Sequence, residues 1–137
     1  MLATLSGPPQ SPVDTVRVCV CDDVREFREL MRFALDSDPA IEVICEASDG
    51  AECIENVAVS LPDVVLLDLS MPGRDGLEVI AALRERAPEV AIVVLSGFSA
   101  ERMEEVVLAG GAARYLEKGA PLADIRAAVR EAGLRVG

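Results

Sequence analysis

Asp63-Val64-Val65-Leu66-Leu67, running straight into Asp68, decides the fold. It is a short apolar run, rich in β-branched residues, that stops on a carboxylate, and it reads as a strand covered on both faces. Two more runs of the kind, Val16–Cys21 and Ala91–Leu95, lie on either side of it. Ile41–Ala47 and Ala113–Glu117 are mixed, with Glu42, Glu46, Arg114 and Glu117 interleaved. Helical patterns fill the intervals near Val24–Ser37, Ala51–Ser60, Leu77–Arg86, Ala100–Ala109 and Leu122–Ala132. This alternation of strands and helices implies a parallel sheet with helices on both faces: an α/β fold of the (βα)5 type, a three-layer sandwich. Continuous runs belong in the middle of such a sheet and mixed ones at its edges, which suits the strand order 2-1-3-4-5, another doubly wound order being the alternative.

The chain has 137 residues, of which 51% are hydrophobic and only 3% aromatic, so one domain with an aliphatic core is expected. Gly7-Pro8-Pro9 and Ser11-Pro12 mark residues 1–14 as a flexible N-terminal leader, which leaves 15–137 as the domain. That leader has no basic n-region or long apolar run, and nothing in the chain approaches a membrane-spanning length. A cytoplasmic location follows as the expectation. The net charge of −11 would repel DNA phosphates and anionic lipid, so neither nucleic acid nor membrane is an expected partner. Cys19, Cys21, Cys45 and Cys53 are expected to be reduced thiols packed in the core. A zinc site is the alternative, but no histidine is present and the spacings match no common zinc pattern.

Chemistry concentrates where the strands end. Strand 1 runs into Asp22-Asp23, strand 3 into Asp68, strand 4 into Ser96 and strand 5 into Lys118. Ligands of open α/β sheets bind outside the carboxyl ends of the strands, at the point where the strand order reverses. Taken singly, Asp23 could be a helix N-cap, Lys118 a solvated lysine and Ser96 a turn residue. Taken together, three acids at one edge repel one another unless a cation or protons intervene. A Mg²⁺ ion resolves that repulsion, and a lysine and a hydroxyl opposite it suit a phosphoryl group.

These residues resemble the response-regulator receiver domains of two-component (phosphorelay) signalling. The resemblance rests on Asp22-Asp23, on Leu66-Leu67-Asp68-Leu69-Ser70-Met71-Pro72-Gly73-Arg74-Asp75-Gly76, on Ser96-Gly97, and on Tyr115 with Lys118. It spans about Val16 to Ala132 and implies a flavodoxin-like sheet. By this resemblance Asp68 is the phosphoacceptor. Asp23, Asp68 and the main-chain carbonyl of Ser70 bind Mg²⁺ directly, with Asp22 acting through water. Lys118 and Ser96 contact the phosphoryl group, and Gly97 leaves room for it. Ser96 and Tyr115 form the switch that remodels the helix 4–strand 5–helix 5 face, through which a homodimer could form. The implied donor is a sensor histidine kinase or a phosphotransfer protein. Lys118-Gly119-Ala120-Pro121 departs from the common Lys-Pro and is similar to receivers that carry a helix-turn-helix domain.

The pattern therefore points to a phosphoacceptor rather than an enzyme. A haloacid-dehalogenase-type phosphatase needs a second Asp where this chain has Ser70, and a flavin binder needs a phosphate loop where it has Asp22-Asp23-Val24-Arg25. A degenerate receiver that binds partners without phosphorylation is the remaining alternative. Two further expectations concern apolar residues. By the resemblance Phe98 flanks the path of a hydrolytic water and would shield an acyl phosphate, the alternative being that it only packs on helix 4. In helix 1, Val24, Phe27, Met31, Ala34 and Leu35 fall on the sheet side, Leu30 beside that stripe and Phe33 nearly opposite it. The resemblance implies that Leu30 and Phe33 form a partner face, an isolated surface apolar residue being the alternative for Phe33.

Overall fold

The computed structural model describes residues 15–71, 75–97 and 100–136. The leader 1–14, the loop residues Pro72, Gly73 and Arg74, and Phe98 lie outside the described residues. The strands are β1 (Val16–Cys21), β2 (Ile41–Ala47), β3 (Val64–Asp68), β4 (Ala91–Ser96) and β5 (Arg114–Glu117). The helices are α1 (Arg25–Asp36), α2 (Gly50–Ser60), α3 (Gly76–Arg86), α4 (Ala100–Ala109) and α5 (Leu122–Val136). All strand pairs are parallel and the order is β2-β1-β3-β4-β5, the expected flavodoxin-like arrangement. The mixed strands β2 and β5 are indeed the edges, while all five residues of β3 are buried.

Alternation along the strands splits the core into two layers. Cys19, Cys21, Val65, Leu67, Ile92 and Val94 pack against Ile54 and Val57 of α2, Ile80 and Leu83 of α3, and Val107 of α4. Val18, Val20, Leu66, Val93 and Leu95 pack against Met31 and Leu35 of α1 and Ile125 and Val129 of α5. No helix among the described residues is long and apolar enough to cross a membrane.

Three expectations need correction. Val24 is 44% exposed, because it occupies the extended N-cap position of α1, where helical periodicity does not yet apply. Helix α5 continues past Ala132 to Val136, with Gly133 set against Val16 of β1. Cys19 and Cys45, the register partners of β1 and β2, are joined by a disulfide, so the expected free thiols are only Cys21 and Cys53. Neighbouring parallel strands bring these two Cα atoms to 4.6 Å, within disulfide range. The core placement holds for Cys19, Cys21 and Cys53, which are buried, while Cys45 on the edge strand is only half-buried.

Besides its core packing, a glycine contact and an ion pair help fasten α5. A Cβ built on Gly133 would lie 2.5 Å from Val16 Cγ1 and 2.7 Å from Cγ2, so the helix approaches β1 as closely as it does only because residue 133 has no side chain. Asp38, after α1, accepts from Ala40 N at 2.9 Å and pairs with Arg130 of α5. Its carboxyl is held below the ordinary value of 3.8, first by the Ala40 N–H, against burial, and further by the Arg130 guanidinium.

Gly133→Ala should lower stability by about 1–3 kcal/mol in urea denaturation through overpacking, although helix propensity alone would favour alanine by nearly 1 kcal/mol. For Asp38, a depressed folded pKa means that its contribution is complete above the unfolded value and fades as pH falls through the folded one. Asp38→Asn should therefore cost about 1 kcal/mol at pH 7, and the melting curves of the two proteins should converge below pH 3.8.

Candidate functional site

The reversal of strand order between β1 and β3 sets Asp22 and Asp68 side by side at the carboxyl edge of the sheet. Asp22 follows the last residue of β1, its main-chain N–H donating to Ala47 O of β2 at 3.0 Å. Its Oδ1 accepts from Val24 N at 2.8 Å, which tightens the turn into α1. The α1 N-cap carries no side-chain hydrogen bond, so Asp23 is not a cap. Asp23 is exposed, whereas Asp22 and Asp68 are each 2% exposed. One carboxylate oxygen from each of Asp22, Asp23 and Asp68 can be chosen so that all three lie within 4.8 Å of one another.

Lys118 supplies the countercharge. Its Nζ lies 2.9 Å from Asp22 Oδ2 and 3.4 Å from Asp68 Oδ2. Those two oxygens are buried and accept no hydrogen bond of regular geometry. Asp68 Oδ1 is better served, accepting from Ser70 N at 3.0 Å. Burial pushes the Asp68 carboxyl above its ordinary value and the Asp22 carboxylate adds to that, while the Ser70 N–H and Lys118 pull it down. Burial would lower Lys118, but the Asp22 and Asp68 carboxylates hold its ammonium above the ordinary value.

Three carboxylates facing one ammonium leave two negative charges in a buried corner. That excess, the hard oxygen donors and the two buried oxygens that share a single ammonium fit a divalent cation such as Mg²⁺. The remaining predicted residues converge on the same edge. Ser96 is fully buried at the end of β4, and its carbonyl accepts from Lys118 N at 2.8 Å. A Cβ on Gly97 would meet no described atom within 4 Å, so space remains beside it. Tyr115 is buried in β5, in register with Val94. No described peptide bond is cis, so Lys118–Gly119 is trans.

Local sequence explains the tight return after Asp68. A Cβ on Gly76 would sit 2.7 Å from Leu69 Cδ2 and 2.9 Å from Leu69 O, so only glycine lets α3 start that close to the site loop. Asp75 caps this helix by accepting from Leu77 N at 2.9 Å. Leu30 and Phe33 of α1 are exposed, at 44% and 74%. Two residues of α1 that sequence reading missed belong to the site. The Phe27 ring lies 4.5 Å below Lys118 Nζ, a cation–π contact. Arg28 Nη1 donates to the Asp22 carbonyl at 2.7 Å. Helical periodicity assigns Phe27 to the core, and it does pack there, but a period cannot reveal that the ring also meets a residue of β5's end loop.

Comparison with known proteins agrees with this geometry. The family model for the response regulator receiver domain matches residues 18–130. The chain is 37% identical over 117 residues to the transcriptional regulatory protein LiaR of Bacillus subtilis, an alignment covering 85% of this chain and 56% of LiaR. It is 39% identical over 115 residues to the protein-glutamate methylesterase/protein-glutamine glutaminase 5 of Myxococcus xanthus, covering 83% of this chain and 33% of that protein. The solved receiver domain of NarL from Mycobacterium tuberculosis superposes with a TM-score of 0.83 at 37% identity, covering 88% of this chain and 98% of that one. The chain belongs to the response regulator receiver domain family, and its relatives include transcriptional regulators of the LiaR and NarL kind. It spans about half the length of LiaR and a third of the methylesterase.

Because buried like charges raise the energy of the metal-free site, Asp68→Asn should raise the melting temperature in the presence of a chelator. A gain of a few degrees is expected for a domain of this size, read by circular dichroism.

Proposed function

We propose that this chain is a phosphoacceptor switch of a two-component system, in which Asp68 takes a phosphoryl group from the phosphohistidine of a sensor histidine kinase or phosphotransfer protein. The observation that carries the reading is Asp68 itself. It is a buried carboxylate at the end of the central strand, with one oxygen lacking a hydrogen bond and an ammonium 3.4 Å away. In the transfer a new O–P bond forms to an Asp68 oxygen, while the P–N bond to the partner's imidazole breaks. The bonding pair stays on the ring nitrogen, and the imidazole recovers its proton from solvent.

Each neighbouring residue has a part in this reading. Lys118 pairs with the phosphoryl oxygens, and the Ser96 hydroxyl donates to them. Asp23, Asp68 and the Ser70 carbonyl would hold Mg²⁺, with Asp22 acting through water, and the bound ion would neutralise charge on the transferring group. Movement of Ser96, followed by Tyr115, would remodel the α4–β5–α5 face that meets an output partner or a second copy of the chain. Leu30 and Phe33 would contact the phosphodonor protein, since exposed aromatics are enriched in interface hot spots. Such a switch would act in the cytoplasm, where its kinase presents the phosphohistidine.

Incubation with acetyl phosphate and Mg²⁺ should add a single phosphoryl group by intact mass. The label should be lost in Asp68→Asn and when the metal is chelated. Wild-type labelling of Asp68→Asn would overturn the assignment.

A further inference from the structure

We infer that Arg28 is a positioning residue for the acid pair, acting through the main-chain carbonyl of Asp22; the inference rests on the Mg²⁺-assisted reading above. The contact is 2.7 Å, from a guanidinium whose side chain is only 18% exposed. A peptide group is planar, so fixing the Asp22 carbonyl also fixes the N–H and Cα of Asp23. The next residue, the exposed carboxylate Asp23, thus hangs from a plane that Arg28 holds. On the other side of that turn, Asp22 N is tied to Ala47 O of β2 and Val24 N to Asp22 Oδ1. With all three contacts made, the Asp22-Asp23-Val24 backbone has little freedom left.

Arg28 is itself anchored. Its Nε meets Glu46 Oε1 at 3.3 Å, and Arg32 Nη1 meets Glu46 Oε2 at 2.6 Å. The Glu46 main chain is held in turn, its carbonyl accepting from Asn56 of α2 at 2.8 Å. Glu46 therefore does two things. It orients the planar fork toward the Asp22 carbonyl, and it neutralises a cation that stands beside a proposed cation site. An uncompensated guanidinium there would repel a metal ion.

Positioning and plain electrostatics predict opposite signs. If Arg28 acted only as a charge, its removal would tighten Mg²⁺ binding. If it positions Asp23, removal loosens the ligands and weakens binding. The test is calorimetric titration of the whole chain with Mg²⁺, well below the melting temperature, with thermal stability measured in parallel. Arg28→Ala should bind Mg²⁺ roughly tenfold more weakly, the lower end of what loss of an outer-shell partner costs. Arg32→Ala removes the same charge from the same network without touching the Asp22 carbonyl, and should bind at wild-type affinity or tighter. Arg28→Lys keeps the charge but not the planar fork, and should fall between Arg28→Ala and wild type. Amide exchange at Asp23 and Val24 in metal-free protein should quicken in Arg28→Ala and stay unchanged in Arg32→Ala. Wild-type or tighter Mg²⁺ affinity in Arg28→Ala overturns the inference. Should that variant not fold, Arg28→Lys decides by the same criterion. A wild-type chain that binds no Mg²⁺ overturns the underlying reading as well. A wild type that binds Mg²⁺ and takes phosphate from acetyl phosphate, beside unchanged Arg28 variants, overturns this inference alone.

Discussion

Like-charge repulsion at the carboxyl edge of the sheet is the constraint around which the rest is arranged. Two unit charges about 4 Å apart repel by about 4 kcal/mol at an effective dielectric near 20. Asp22, Asp23 and Asp68 each place a carboxylate oxygen within 4.8 Å of the others, with Asp22 and Asp68 out of solvent. Lys118 offsets part of the repulsion, and the turn N–H groups of Val24 and Ser70 offset more. What remains unbalanced is a demand for positive charge. A divalent cation held there, as proposed, would relieve that repulsion and offset the charge of an incoming phosphoryl group.

Such a site needs a frame that does not yield. Both faces of β3 are covered by aliphatic layers, so the strand that ends in Asp68 cannot tilt to separate the charges. The frame is tight at its margins as well. Gly133 lets α5 close on β1, and Gly76 lets α3 close on Leu69, one residue beyond Asp68. These glycines serve close approach, and neither is in the left-handed region. Helix α1 completes the frame from the other side, with Phe27 beneath Lys118 and Arg28 on the Asp22 carbonyl.

The fold was legible because its signals are local. Buried strands read as continuous apolar runs, and the polar groups that end them stand next to those runs in the chain, so Asp22, Asp68, Ser96 and Lys118 could be collected at one edge before any coordinates. The misreadings have a common origin in contacts that periodicity does not encode. Val24 satisfies a helical wheel but precedes the helix. Cys19 and Cys45 meet because of strand register, 26 residues apart. Arg28 carries no signal in its own stretch, since its partners are a carbonyl on β1's end and a carboxylate on β2. Side-chain contacts to the main chain of a distant element are the part of a site that a single sequence conceals.

The same register supplies a route by which a change at Asp68 could be felt at a distance. Asp68 pairs with Leu95, the neighbour of Ser96, and Ser96 pairs with Glu117, the neighbour of Lys118. The Lys118 N–H to Ser96 carbonyl bond closes this lateral step. Tyr115 stands two residues before Glu117 and is packed in the layer that also holds Val107 of α4. Close-packed interiors respond to displacement by changing between discrete packings rather than by flowing. In the proposed switch, a Ser96 drawn toward a phosphoryl group would free space beside β4, and Tyr115, buried on the neighbouring strand, would move to fill it. The helix that rests on the same layer, α4, would then have to repack. In that proposal the acid cluster and α4 would be coupled through strand register and through the one core layer that holds both Tyr115 and Val107.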